Sequence, residues 1–192
     1  MNMMNNICFI DFETSGTNVF YDEPIELGGV LIDKNRNVIN TFFSKIQIPQ
    51  NIIISKSASK IHKYENNDLK NEPNGGIVLN NFFMTMGTNY CFGGWNISFD
   101  VPYLRKLCYN YKRMEDFDRI DYHHLDIQSL VKLAVYLELL PKNIDTLDKC
   151  CEHFRINRNI KHNALEDAQI AFQVFKKVLD VFEKSKKQIY SV

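Results

Sequence analysis

The stretch ICFIDFETSGT, Ile7 to Thr17, constrains the chain first. An apolar run of strand type ends in two acids, Asp11 and Glu13, with Phe12 between them. Side chains at i and i+2 of a strand point the same way, so the two carboxylates share a face and Phe12 takes the other. Like charges held that close are unfavourable unless something positive sits between them. The pair is either an accident of a loop edge or the start of a cation site.

Further strand-type segments follow at Pro24–Asp33 and Asn37–Gln47, joined by the turn DKNRN, and such short connections imply antiparallel neighbours. Residues 49–76 are polar and close on the turn signal PNGG, with short helical pieces expected but no limits drawn. From Gly76 helix and strand alternate: IVLNNFFMTM as helix, Asn89–Trp95 as a buried strand, SFDVPYLRKLCYNYKRM as an amphipathic helix and Asp121–Ile127 as a fifth strand. Three more helices are read in QSLVKLAVYLELL, TLDKCCEHFRI and ALEDAQIAFQVFKKVLDVFEKSKK. The order predicts an α/β fold, one mixed five-stranded sheet of three antiparallel strands and then two parallel ones, flanked by helices. No repeat, linker or low-complexity segment divides the 192 residues, so one domain is expected over 1–192, with a core of about 6–184 and a short tail.

Composition narrows the class of function. The apolar fraction of 45% and charged fraction of 24% are ordinary for a globular chain, and no stretch has the length of a membrane span. The opening MNMMNN lacks the features of a secretion signal, so a cytoplasmic protein is expected. Five cysteines, Cys8, Cys91, Cys108, Cys150 and Cys151, show no zinc-type spacing and read as reduced, mostly buried thiols. With 23 basic and 23 acidic residues the formal net charge is zero, which argues against coating long nucleic acid by charge alone. A grip on a few nucleotides at a metal site remains compatible with it.

Other polar residues fall at element ends. Asp100 follows the fourth strand and opens a helix, Asn96 ends that strand, and Gly93–Gly94 permit close approach. In KHNALEDAQIAF, Asn163 reads as an N-cap with Glu166 three positions on, His162 just outside the helix, and Asp167 near its positive end. Carboxylate oxygens suit Mg²⁺ or Mn²⁺, and a loop histidine suits proton abstraction from water. Two such ions about 3.5–4 Å apart are the recurrent device for phosphodiester cleavage. Singly, each piece has a plainer reading: D-x-E arises by chance, a first-turn acid compensates a helix dipole, and a histidine before a helix is commonly a solvated loop residue.

Taken together and in order, DFETSG, GGWNISFD and HNALEDA resemble the three motifs of the DEDDh group of DnaQ-like 3′–5′ exonucleases, which includes the proofreading subunit of bacterial DNA polymerase III and RNase T. The resemblance runs from about Asn6 to Lys184; PIELGGVLID is similar to the group's second strand, with its I-E-x-G pattern, and HLDIQSL to its fifth, ending at Asp126. It implies an RNase H-like fold and two Mg²⁺ or Mn²⁺ ions per site. By resemblance, Asp11, Glu13 and Asp167 bind the tighter ion, Asp11 bridges to the second, Asp100 helps place the second through water, and His162 is the general base. Asn163 stands where the sister group has tyrosine. Trp95 replaces a frequent histidine and Ser15 a frequent threonine, and none of the five core positions is lost.

The implied activity is hydrolysis at the 3′ end of single-stranded or frayed DNA or RNA, releasing nucleoside 5′-monophosphates. The competing class is a 3′-end binding or polymerase accessory module with little catalysis. Some members are homodimers, so a homodimer is a possible state. Only KKQIYSV follows the last helix, which leaves polymerase association possible but without an extension to indicate it. For the substrate, Thr14, Ser15 and Gly16 are expected to present N–H groups and Phe20 or Tyr21 to stack on a base. The plainer alternative is a turn with an aromatic tucked into the core. Asn96, and His62 within the basic stretch SKSASKIHKY, complete the candidate contacts. Arg155, Arg158 and Lys161 are candidates for phosphate, and His123, His124 and His153 are rejected as metal ligands.

Overall fold

The computed structural model of the chain describes residues 6–158 and 162–189. Five strands, β1 (Asn6–Thr14), β2 (Pro24–Ile32), β3 (Val38–Lys45), β4 (Tyr90–Gly94) and β5 (Asp121–Asp126), form one sheet in the order β3-β2-β1-β4-β5. β1–β2 and β2–β3 pair antiparallel, whereas β1–β4 and β4–β5 pair parallel. That is the mixed RNase H-like sheet expected from the sequence. Its helices are α1 (Lys56–His62), α2 (Gly75–Met86), α3 (Asp100–Asn110), α4 (Met114–Asp118), α5 (Ile127–Tyr136), α6 (Leu147–Phe154) and α7 (Ala164–Ile189).

Period-2 alternation divides β1 between two cores. Ile7 and Phe9 face α5, α6 and α7, with the Phe9 ring 5.5 Å and 5.6 Å from those of Phe172 and Phe175. Cys8, Ile10 and Phe12 face the other way, against Val78, Phe82, Tyr103 and Leu104 of α2 and α3. Asp11 and Glu13 continue the odd positions and so emerge on the α7 side. Phe12 is buried opposite them, as expected.

The polar region before α2 is held by a small apolar cluster of Ile25, Ile48, Ile54 and Leu69, and by side-chain caps. Ser55 caps α1 by accepting from Ala58 N–H, a 3₁₀ turn spans Asn66–Leu69, and Asn66 ties the segment together by accepting from Ile54 N–H at 3.0 Å and donating to the Ile52 carbonyl. The short α4 was not read from the sequence; none of its residues is buried, so it carries no apolar stripe. All five cysteines are free thiols. Among the described residues no helix is long and apolar enough to cross a membrane.

α7 lies almost against the sheet where it starts. A Cβ at Gly28 would meet the Ala164 carbonyl carbon at 2.1 Å and Leu165 N at 2.2 Å, so only glycine lets helix backbone reach β2. Overpacking of this kind costs about 1–3 kcal/mol or more. Gly28→Ala is therefore expected to lower the melting temperature by several degrees and to weaken activity, measured by thermal denaturation. An unchanged melting temperature would contradict the close docking of α7.

Candidate active site

β1 outruns its parallel neighbour. β4 pairs only with Asn6–Phe9, so beyond Phe9 that side of β1 lacks a strand partner. The start of α3 fills the gap: Asp100 Oδ1 accepts from Phe12 N–H at 2.9 Å. Asp100 thereby ends the sheet and delivers a buried carboxylate beside Asp11. From the other direction α7 brings Asp167. Its N-terminus is capped by Asn163 Oδ1, which accepts from Glu166 N–H at 3.1 Å, as read from the sequence. His162 precedes the cap with a left-handed backbone, φ +61°.

Glu13, His162 and Asp167 each turn a ligand-type atom to a common point, all within 4.8 Å of one another. Among the described residues they form the one group of three or more that does so. Asp11 and Asp100 flank the group and raise its negative charge without entering it at this distance.

Burial raises all four carboxylates, and for Asp11 and Glu13 the neighbouring acids add to it. Withdrawal from water, then the Asp100, Asp167 and Glu13 carboxylates, holds Asp11 well above the usual carboxylate range. Glu13 is pushed up to about 8, first by burial and then by Asp167, Glu26 and Asp100. Burial raises Asp100, against the Phe12 N–H, and raises Asp167, against the opposing charge of Arg158. Such a set favours binding a dication, because the ion removes the repulsion that otherwise demands protons. The carboxylate oxygens of the set fit Mg²⁺ or Mn²⁺, and the His162 imidazole beside them is not needed as a ligand for such an ion.

The cation already present is Arg158, nine-tenths buried. Its Nε donates to Asp167 Oδ1 at 3.1 Å, Nη2 to the same oxygen, and Nη1 to Asp148 on α6. Both contacts to Asp167 fall on one oxygen. The expectation that Arg158 meets phosphate is thus corrected: it is committed to two carboxylates. Arg155 instead ends α6 in a left-handed conformation, and Lys161 lies outside the described residues.

A cavity of about 460 Å³ opens beside the acids, lined by Glu13, Thr14, Gly16, Asp22, His62 and His162 among others. His62 is 6% exposed. Its Nδ1 accepts from Tyr64 N–H at 3.0 Å, which places the ring proton on Nε2. Burial lowers its pKa, with the Thr14 carbonyl acting weakly the other way, so the ring is neutral near pH 7. Nε2 has no partner within hydrogen-bond geometry. The Thr14 carbonyl interacts with the ring without meeting that geometry, and Nε2–H on the cavity wall is a donor that a ligand can accept from.

The remaining sequence candidates divide. Thr14 and Gly16 line the cavity. Ser15 does not: its N–H donates to the Glu23 carbonyl at 2.8 Å, and its hydroxyl accepts from Glu23 N–H at 2.9 Å and donates to Asp22. It braces the loop instead of presenting an N–H. Gly16 is required there, since a Cβ would strike the Asp22 carboxylate at 2.4 Å. Phe20 is 83% exposed, which removes the reading of an aromatic tucked into the core and leaves it open to stacking. Asn96 lies outside the cavity lining; it turns the chain at φ +57° while its N–H donates to Asp126 Oδ1 at 3.0 Å. His123 and His124, expected on opposite faces with one packed, are both exposed. Sequence reasoning missed Asp22, Tyr64, Asp148 and Glu26, and of these only Glu26 stood in a recognisable pattern.

The raised carboxylates carry a stability signature. A group whose folded pKa exceeds its unfolded value contributes stability below the unfolded pKa and loses it as pH rises through the folded one. Exposed Asp33, Asp121 and Asp145, held below the usual value, are fully ionised above about pH 5, and the lowered His62 and His124 stop contributing above about pH 7. Between about pH 7 and pH 8, below the range where the raised thiols of Cys8, Cys91, Cys108 and Cys150 act in the same direction, the metal-free protein is therefore expected to lose stability, at most about 1.4 kcal/mol per pH unit for each raised group. Thermal melts across that range should fall without metal, flatten with Mn²⁺, and fall less in Glu13→Gln. A metal-free melting temperature that rises with pH there would contradict the charge assignment.

The chain is similar to known proteins over most of its length. The RNase T family of exonucleases matches residues 8–175. The chain is 29% identical over 188 residues to a PolC-type DNA polymerase III of Caldanaerobacter subterraneus, covering 95% of this chain and 12% of that protein. It is 27% identical over 180 residues to DNA polymerase III subunit epsilon of Buchnera aphidicola, covering 88% of this chain and 72% of that one. Escherichia coli exonuclease I in complex with a dT13 oligonucleotide shares the fold, with TM-score 0.80 at 17% identity, over 97% of this chain and 43% of that chain. The chain thus spans a small part of the first relative and under half of exonuclease I. By sequence and fold, it belongs to the DnaQ-like 3′–5′ exonuclease family.

Proposed function

We propose that the chain is a metal-dependent 3′–5′ exonuclease that hydrolyses the terminal phosphodiester of single-stranded or frayed nucleic acid and releases nucleoside 5′-monophosphates. The observation that carries this is the convergence of Glu13, His162 and Asp167 on one point at the wall of a nucleotide-sized cavity. Two divalent ions, when bound, would supply Lewis acidity at the attacking water and the leaving oxygen. Asp11, Glu13 and Asp167 would hold them, with Asp100 supporting the second.

The protein's own groups do the rest. His162, exposed on its left-handed turn, takes the proton from the attacking water. Its position beside Glu13 and Asp167 favours the imidazolium that results. Neutral His62 offers Nε2–H to the terminal nucleotide, Thr14 and Gly16 form the adjoining wall, and the exposed rings of Phe20 and Tyr21 give an upstream base a surface to stack on. The epsilon-subunit and exonuclease I relatives make single-stranded DNA the first substrate to try, with a matched RNA strand beside it.

Purified protein with Mn²⁺ should shorten a 5′-labelled oligonucleotide one residue at a time. Asp11→Ala should abolish this, and full activity in that variant would overturn the reading. His162→Ala should lose about 10²–10⁴-fold in kcat while oligonucleotide and Mn²⁺ binding persist. Loss of Mn²⁺ binding in His162→Ala would make it a ligand rather than the base. Tight binding without cleavage by the wild type would instead mark a 3′-end binding module.

A further inference from the structure

We propose that Glu26 is a positioning residue that sets both histidines of the pocket at once, an assignment that rests on the exonuclease reading above. Glu26 is 0% exposed and sits directly across from Glu13 in the β1–β2 ladder, with Lys45 across from it on β3. A further buried acid beside an already repulsive cluster is unfavourable unless its oxygens are committed. Both are. Oε2 accepts from the Tyr64 hydroxyl at 2.5 Å. Oε1 accepts from Ala164 N–H at 2.7 Å and from Asn163 Nδ2 at 3.2 Å. Glu26 is accordingly absent from the group that converges on the ligand point.

The two oxygens serve different arms of the site. On one side Tyr64 stacks on His62, ring centroids 5.5 Å apart, and its N–H fixes the His62 tautomer. Lys45 covers the Tyr64 ring at 4.5 Å and closes this arm. On the other side Asn163 and Ala164 directly follow His162, whose left-handed backbone is unfavourable for a non-glycine residue and persists only where its surroundings impose it. A carboxylate on the first N–H of α7 also meets the positive end of the helix dipole. Gly28, two residues along β2 and on the same face, admits the helix backbone. The E-x-G of PIELGG is thus a docking cradle: the glycine makes room for the start of α7, and the glutamate fixes its rotation and, through Tyr64, the opposite wall of the cavity.

The test compares Glu26→Ala, Glu26→Gln and Tyr64→Phe by thermal melts, steady-state cleavage of a 5′-labelled oligonucleotide with Mn²⁺, and calorimetric binding of thymidine 5′-monophosphate in the presence of Mn²⁺. Glu26→Ala should lower kcat by about 10²-fold, the scale of a small misplacement of catalytic groups, and weaken monophosphate binding. Glu26→Gln keeps a carbonyl for Ala164 N–H and an amide for the tyrosine oxygen, and should restore most of both. Tyr64→Phe cuts only the His62 arm and should raise KM and weaken monophosphate binding more than it lowers kcat. The proposal is overturned if folded Glu26→Ala matches the wild type in kcat and KM, or if folded Glu26→Gln is as impaired as the alanine variant. Should Glu26→Ala fail to fold, Tyr64→Phe decides: an equal effect on KM and kcat, or none, overturns it. A wild type that cleaves nothing sinks the exonuclease reading instead, and monophosphate binding by the three variants still tests Glu26.

Discussion

Three buried carboxylates, Glu13, Asp100 and Asp167, and the half-buried Asp11 are gathered where water screens them poorly, and the rest of the site answers to their repulsion. Left alone they would force the end of β1 away from α3 and α7. Three things hold them together. Protons are retained at pH values where an exposed acid is bare, Phe12 N–H is given to Asp100, and Arg158 is inserted against Asp167. Arg158 is balanced in turn by Asp148, so the guanidinium neutralises only part of the cluster's charge. Both of its bonds to Asp167 end on one oxygen, and the same carboxylate also takes a hydrogen bond from the His162 backbone. The cluster is an electrostatic deficit that a dication relieves.

The sheet supplies the geometry that makes the deficit tolerable. A central strand with a large core on each face cannot shift register without moving every side chain to the wrong side, so Asp11 and Glu13 inherit their direction from Ile7 and Phe9. α7 is aligned on that strand by the Phe9, Phe172 and Phe175 contacts and is seated at its start by Gly28 and Glu26. The histidines are placed secondarily, each within two residues of a group bonded to Glu26. Rigid acids on packed elements and adaptable histidines beside them suit a site that must keep its charge arrangement while a strand end enters and leaves.

Legibility in the sequence followed the range of the interactions. The strands were readable because apolar alternation is local, and the order of short and long connections then determined the sheet. Asp11, Glu13, Asp100, His162 and Asp167 could be picked out as candidates because three motifs fell in order at element ends, and the structure brings Glu13, His162 and Asp167 to one point; the Asn163 cap was readable from spacing within one turn. Residues 49–76 were not, because α1 and the 3₁₀ turn are held by Ser55, Asn66, the Ser15 carbonyl and a small apolar cluster rather than by an apolar stripe. Arg158 looked like a phosphate ligand because its partner Asp148 lies ten residues back at the start of α6, and no sequence pattern announces that pairing. Ser15 looked like a substrate contact for a related reason: its N–H and hydroxyl are taken up by Glu23 and Asp22 across a loop, while Asn96 gives its backbone N–H to Asp126 and sits outside the cavity lining. Glu26 was visible only as part of a pattern, and its meaning depends on partners as far away as Ala164.

The central claim is that the acids at the end of β1 form a divalent cation site. Its most direct test is a crystal structure of the wild-type protein grown with Mn²⁺, read in a manganese anomalous-difference map. The account predicts one peak at coordination distance from both Glu13 and Asp167, and a second beside Asp11 and Asp100. A map with no peak at these carboxylates, in crystals soaked at millimolar Mn²⁺, would contradict it.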